Sequence, residues 1–152
     1  NKEGDETMKK IGQYTARGQI ANQTTKRITL FDGRFDTGYK VVSFKVFPDE
    51  PYTAAADVVG VLATEEAAAT DDWDLNDQRQ IAWSSVDIRT GGFAAGGGDV
   101  DPDNFIVEDL YFHGKNGDGG AINYLIVMEK YETSEWMGAL AMVRNSAQDI
   151  GS

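Results

Sequence analysis

Cysteine is absent from the 152-residue chain, which excludes disulfide frameworks, zinc ribbons, iron–sulfur ligation and thiol catalysis. Histidine occurs once, as His113, so no metal site requiring two imidazoles can be built. Long apolar runs are missing too. Tyr124–Met128 is strand-sized, far short of the roughly 18 residues a membrane span needs. Basic residues are scarce, 14 against 25 acidic ones, for a net charge of −11. A surface of that sign repels phosphate backbones and anionic lipid, which argues against nucleic acid and membrane as partners.

What remains has the composition of a folded domain. Apolar residues make up 41% and charged residues 26% of the chain, too apolar for a disordered segment. The length suits one domain, since domains cluster near roughly 100–150 residues. The charge is uneven along the sequence. Residues 1–27 hold six basic and three acidic side chains, and the other 125 residues hold 8 basic and 22 acidic ones. A positive arm on a negative body can dock onto a neighbouring copy, because opposite charges steer association. The plainer reading is a solvated tail.

Residues 1–24 are polar, with Met8, Ile11, Tyr14 and Ile20 as apolar anchors. They read as an extended arm with one short strand around Tyr14–Ile20. From Thr25 the pattern is period-two, as in half-buried antiparallel strands. Ile28 and Leu30 share a face before the turn dipeptide Asp32-Gly33. In Tyr39–Phe47, Val42, Phe44 and Val46 share one face, and Val41, Ser43, Lys45 and Phe47 the other. Asp57–Ala63, Gln80–Ile88, Phe105–Phe112 and Ile122–Glu132 read as further strands. Thr64–Ala69 reads as a helical turn, Gly91–Asn104 as a long loop, and His113–Gly120 as a turn. Thr133–Gln148 changes period: Trp136, Leu140 and Val143 fall on one helical face, which predicts a short C-terminal helix. The fold expected is mainly β: an antiparallel sandwich, jelly-roll-like, or a barrel, over residues 25–152, preceded by an arm over 1–24.

Four constellations bear on chemistry. Asp99, Asp101 and Asp103 alternate as calcium ligands do at the start of an EF-hand loop. The rest of that motif fails: Asn104 takes the glycine's place and Leu110 the bidentate glutamate's. These aspartates are weak metal candidates or a solvated loop. Asp71, Asp72, Asp74 and Asp77 surround Trp73, whose ring either stacks on a sugar or, the favoured reading, folds inward as a cover. His113 would need an orienting carboxylate and a nucleophile, and neither Ser84, Ser85 nor Ser134 sits in a Gly-x-Ser-x-Gly elbow. The glycine-rich run from Gly91 to Gly98 has no following lysine or helix start, and so is not a phosphate cradle.

Two stretches carry a resemblance. Lys26-Arg27-Ile28-Thr29-Leu30-Phe31-Asp32-Gly33-Arg34 leads into Gly38-Tyr39-Lys40-Val41-Val42-Ser43-Phe44. Ile122-Asn123-Tyr124-Leu125-Ile126-Val127-Met128-Glu129-Lys130-Tyr131 is followed by Gly138-Ala139-Leu140-Ala141-Met142-Val143-Arg144-Asn145. Together, over about Thr25 to Gln148, they resemble small β-rich virion proteins of marine bacteriophages. That resemblance implies a structural role without catalysis or cofactor: a capsid, decoration or tail-associated subunit, located in the virion. Its partners would be copies of itself and other virion proteins, without direct contact with nucleic acid. Ile11, Tyr14 and Ile20, flanked by Lys9, Lys10 and Arg17, are the residues expected to seat the arm on a neighbour's sheet edge. The competing expectation is an extracellular module that binds glycan or calcium through the Trp73 and Asp99–Asp103 loops.

Overall fold

The computed structural model describes residues 8–31, 33–34, 36–52, 55–89 and 95–133. Among these described residues are eight strands: β1 (Met8–Ile20), β2 (Thr24–Ile28), β3 (Thr37–Pro48), β4 (Ala55–Ala63), β5 (Gln80–Arg89), β6 (Ala95–Val100), β7 (Leu110–Asn116) and β8 (Ile122–Thr133). They form two antiparallel sheets, ordered β1-β8-β3 and β2-β7-β4-β5-β6. Neither sheet closes on itself or on the other, so the barrel alternative is not what forms. A 3-10 turn, Glu66–Ala68, occupies the expected helical turn. The helix expected over Thr133–Gln148 falls outside the described residues, apart from Thr133, which ends β8.

The two sheets face each other across one apolar core. Val41, Phe44, Val46, Ile126 and Met128 enter it from the first sheet, and Val58, Leu62, Leu110 and Phe112 from the second. Phe112 joins the layers: its ring lies 5.7 Å from Phe44, edge-on, and 4.7 Å from Tyr124. Gly60 allows the closest approach. A Cβ built there would stand 2.6 Å from Val46 Cγ1 and 2.9 Å from Phe112 Cε1.

Residues 8–20 do not stand apart as an arm. They pair with this chain's own β8, from Met8 opposite Thr133 to Ile20 opposite Ile122. Ala16 and Ile20 are buried in the core, because alternate β1 side chains share the inner face with Ile126 and Ile122. The pairing also supplies β8 with ladder partners on both edges, which a central strand requires.

Three other expectations shift. The face assignment in β3 breaks at a bulge between Val41 and Ser43, which puts Val41 in the core with Phe44 and leaves Val42 45% exposed. Asn104, 6% exposed, pins that bulge: its Oδ1 accepts the Val41 amide at 2.8 Å, and its Nδ2 donates to the Val41 carbonyl at 3.0 Å. β6 runs through the glycine-rich segment expected to be a loop. β7 begins at Leu110 rather than Phe105. Ahead of it, Ile106 exchanges two backbone bonds with Tyr39, and Asp109 binds the Arg27 side chain and the Leu30 amide.

Candidate functional site

The strand register composes two chemically different outer faces. On the β1-β8-β3 sheet, Leu125 lies between Arg17 and Lys45, Val127 between Thr15 and Ser43, and Asn123 between Gln19 and Phe47. Glu129 lies between Gln13 and Lys40. Leu125 and Val127 are half-buried among these polar neighbours, while Val42 and Phe47 are 45% and 42% exposed. The three strands together carry six lysines and arginines against Glu129 and Glu132. Lys10 Nζ takes up Glu129 at 2.8 Å. That ammonium first, and the Tyr131 hydroxyl second, hold the Glu129 carboxyl below its usual range. Among the described residues Arg17 and Lys45 form no ion pair. A shallow groove at one end of this face is lined by Arg17, Gln19, Phe47, Asn123 and Leu125.

The opposite face, the outside of the five-stranded sheet, is overlaid by the 64–79 segment. Ala68 and Ala69 pack with Ala63 against Tyr111. Gln80 anchors the segment's return: its Nε2 donates to the carbonyls of Ala68 and Asp72, and its Oε1 accepts from the Asp74 amide and Trp83 Nε1. His113, 9% exposed on β7, fastens the middle. One ring nitrogen meets Asp71 Oδ1 at 2.6 Å and the other meets Thr25 Oγ1 at 2.9 Å. Gln23 Nε2 donates to the second Asp71 oxygen at 2.7 Å. The His113 ring and then the Gln23 amide hold the Asp71 carboxyl below its ordinary value. This segment carries six carboxylates and one arginine, Arg79, which binds Asp77. Glu66, Asp72 and Asp74 are exposed. Lys115 and Arg27 also project on this side, the latter engaged by Asp109.

His113 therefore has a carboxylate and a hydroxyl in hydrogen-bond reach, as a general base requires. Both ring nitrogens are taken up by the protein's own groups, and the cluster's effect is to tie the overlying segment to β2 and β7. Ser84 is buried, its Oγ accepting the Val46 amide at 3.2 Å. Ser134 lies outside the described residues.

The remaining sequence-predicted residues scatter. Ile20 is core. Ile11 and Tyr14 are each 46% exposed on β1, with Tyr14 tilted against Tyr39 at 6.0 Å. Lys9 and Arg17 are exposed, and Lys10 is bound to Glu129. Trp73 is 43% exposed, so it does not fold inward as the cover expected of it. Asp99 belongs to β6, while Asp101 Oδ1 accepts the Asp103 amide at 3.0 Å and closes a local turn. Among the described residues no three carboxylates or imidazoles gather as a metal's ligand set. Also among them, no helix is long and apolar enough to cross a membrane.

Sequence reading missed Lys40, Lys45, Phe47, Leu125 and Val127 as one surface. The period-two signal was visible in each strand, but only the pairing places the strands side by side. Neither the protein-family models nor the curated proteins include a match to this sequence.

Proposed function

We propose that this chain is a bacteriophage virion structural protein, a capsid, decoration or tail-associated subunit that assembles with copies of itself and other virion proteins. Its strand order supports a jelly-roll-like sandwich. β1 pairs with β8, β2 with β7 and β4 with β5. β6 lies against β3, where a Cβ on Gly98 would come within 2.5 Å of the Phe44 carbonyl oxygen. The first three pairings are those of an eight-stranded ribbon folded in half and rolled up, an architecture used by capsid and lectin domains, and β6 departs from it by hydrogen-bonding to β5. A fold does not select a function.

The observation that carries the choice is the outer face of the β1-β8-β3 sheet. Among the described residues nothing overlies it; it is basic on a protein of net charge −11, and it exposes Val42 and Phe47. Such a face suits a macromolecular neighbour better than a small ligand, which needs a concave site to bury most of its surface. Light scattering and negative-stain microscopy of the purified full chain test the reading. Rings, shells or filaments are expected, with the chain recovered in the protein inventory of purified particles. A monomer at every concentration and salt, absent from particles, refutes it.

A glycan-binding module is the second reading, favoured by the exposure of Trp73 between Asp72 and Asp74. Glycan-array binding abolished by Trp73→Ala would support it over the first.

A further inference from the structure

We infer that the outer face of the β1-β8-β3 sheet receives the acidic 64–79 segment of a second copy, so that subunits join head to tail. The inference rests on the assembly reading and names the surfaces that meet. Its basis is the opposition of two faces of one molecule. On one side Arg17, Lys40 and Lys45 flank a strip of Leu125 and Val127. On the other, Glu66, Asp72 and Asp74 stand exposed on a segment fixed in place by His113, Asp71, Gln23 and Gln80.

A two-fold contact between identical basic faces is disfavoured. It would bring Arg17, Lys40 and Lys45 against cations of the same set, and like charges across an interface weaken association. Pairing the acidic faces fails for the same reason. The combination that matches charge is the basic sheet face of one copy on the acidic segment of the next. Because these surfaces lie on opposite sides of the molecule, the contact is heterologous: it repeats from copy to copy and closes into a ring, or runs on as a filament. Anchoring the segment beforehand lowers the ordering cost of binding. The half-buried strip and the exposed Val42 and Phe47 give the contact an apolar centre inside a charged rim, as specific interfaces have.

The test uses two full-length variants, Arg17→Glu/Lys45→Glu on the sheet face and Glu66→Lys/Asp72→Lys on the segment. None of these four side chains has an ion-pair partner among the described residues, so both variants are expected to melt cooperatively like the parent. Each alone should lose assembly, with self-association weakened about a hundredfold, since attraction becomes repulsion. Mixed one to one, they should assemble again, with the two variants alternating along the assembly. In that mixture the intact sheet face of one variant meets the intact segment of the other, and the two reversed surfaces also carry opposite charges. Salt near 1 M should weaken parental assembly, as exposed charge contacts are screened.

A parent that assembles while both variants assemble equally well overturns the inference and leaves the virion reading standing. Loss of assembly in both without recovery on mixing also overturns it. A parent that stays monomeric overturns both. If the monomeric parent instead binds duplex DNA or heparin through Arg17 and Lys45, the basic face serves a polyanion and the inference is wrong.

Discussion

Replacing Gly60 with alanine tests whether the two sheets meet where the core places them. The added methyl would stand 2.6 Å from Val46 Cγ1, 2.9 Å from Phe112 Cε1 and 3.2 Å from Phe44 Cζ. All three are closer than ordinary van der Waals contact, and all three side chains are buried. Overpacking of this kind costs about 1–3 kcal/mol. Restricting the unfolded chain returns some ~0.4–1 kcal/mol, so Gly60→Ala should destabilise by about 1–2 kcal/mol. Val46→Ala, at a fully buried site, should cost about 2–3 kcal/mol by removing two methyls from the core.

The double variant decides the matter. The new methyl at residue 60 fills the space that Val46 Cγ1 vacates, so the two costs should fall short of additivity by about 1–2 kcal/mol. Urea denaturation of all four proteins measures this from the midpoints, provided the slopes agree. Gly98→Ala supplies the contrast. Its methyl would meet the Phe44 backbone oxygen at 2.5 Å, and no trimming of a side chain relieves a clash with backbone. Strict additivity at Gly60 and Val46, within about 0.5 kcal/mol, would show that β3 and β4 do not face each other there.

Further outcomes follow from individual bonds. Asn104→Ala removes three hydrogen bonds, two to Val41 and one to Asp101; at about 0.5–1.5 kcal/mol each the loss should reach about 2–4 kcal/mol by urea denaturation, and a neutral substitution would mean the β3 bulge holds without it. The Asp71 carboxyl is depressed in the folded state by His113, so its contribution is full above the ordinary carboxylate range and fades as pH falls through the folded value. The melting-temperature gap between the parent and Asp71→Asn should accordingly shrink below about pH 4, and a gap constant down to pH 2 would refute the coupling. Deleting residues 1–24 strips Ala16 and Ile20 from the core and exposes an edge of β8, so the shortened chain should lose its cooperative thermal transition. A native-like circular dichroism spectrum from that chain would return the segment to the status of an arm.

The strands most visible in the sequence were those with a strong apolar signal of strand length. β8 places Ile122, Tyr124, Ile126 and Met128 inward and Asn123, Leu125, Val127 and Glu129 outward, and was visible as a strand-length apolar run rich in β-branched and aromatic residues. β1 hides the same alternation because its inward positions are filled by Tyr14, Ala16, Gly18 and Ile20. Alanine and glycine carry little hydrophobic signal, yet small residues suffice where Tyr124 already occupies the space: a Cβ on Gly18 would meet its hydroxyl at 2.9 Å. β6 is hidden for a related reason. Gly98 is required by the close passage of the Phe44 backbone, and a glycine chosen for proximity looks, in sequence, like one chosen for a turn. The bulge at Val41 was beyond reach because the residue that fixes it, Asn104, lies 63 positions away.

The charge pattern shows most directly what pairing adds. Along the chain, the excess of positive charge ends near Arg27, and everything after it counts as a negative body. In space that division dissolves. Lys10 and Arg17 on β1 share a face with Lys40 and Lys45 on β3, because β8 holds the two strands on either side of it. The lysines of β3 were assigned to the body only because acidic loops surround them in sequence. The most acidic of the loops, residues 64–79, is folded onto the far sheet by Asp71 and Gln80. The positive segment first read as an arm reaching for a neighbour is one edge of a basic sheet face. The electrostatic reason for expecting a neighbour survives the loss of the arm, with the contact moved from a strand edge to a sheet face. Reversing Lys45 alone therefore separates the two geometries, since only the sheet-face contact depends on a cation from β3.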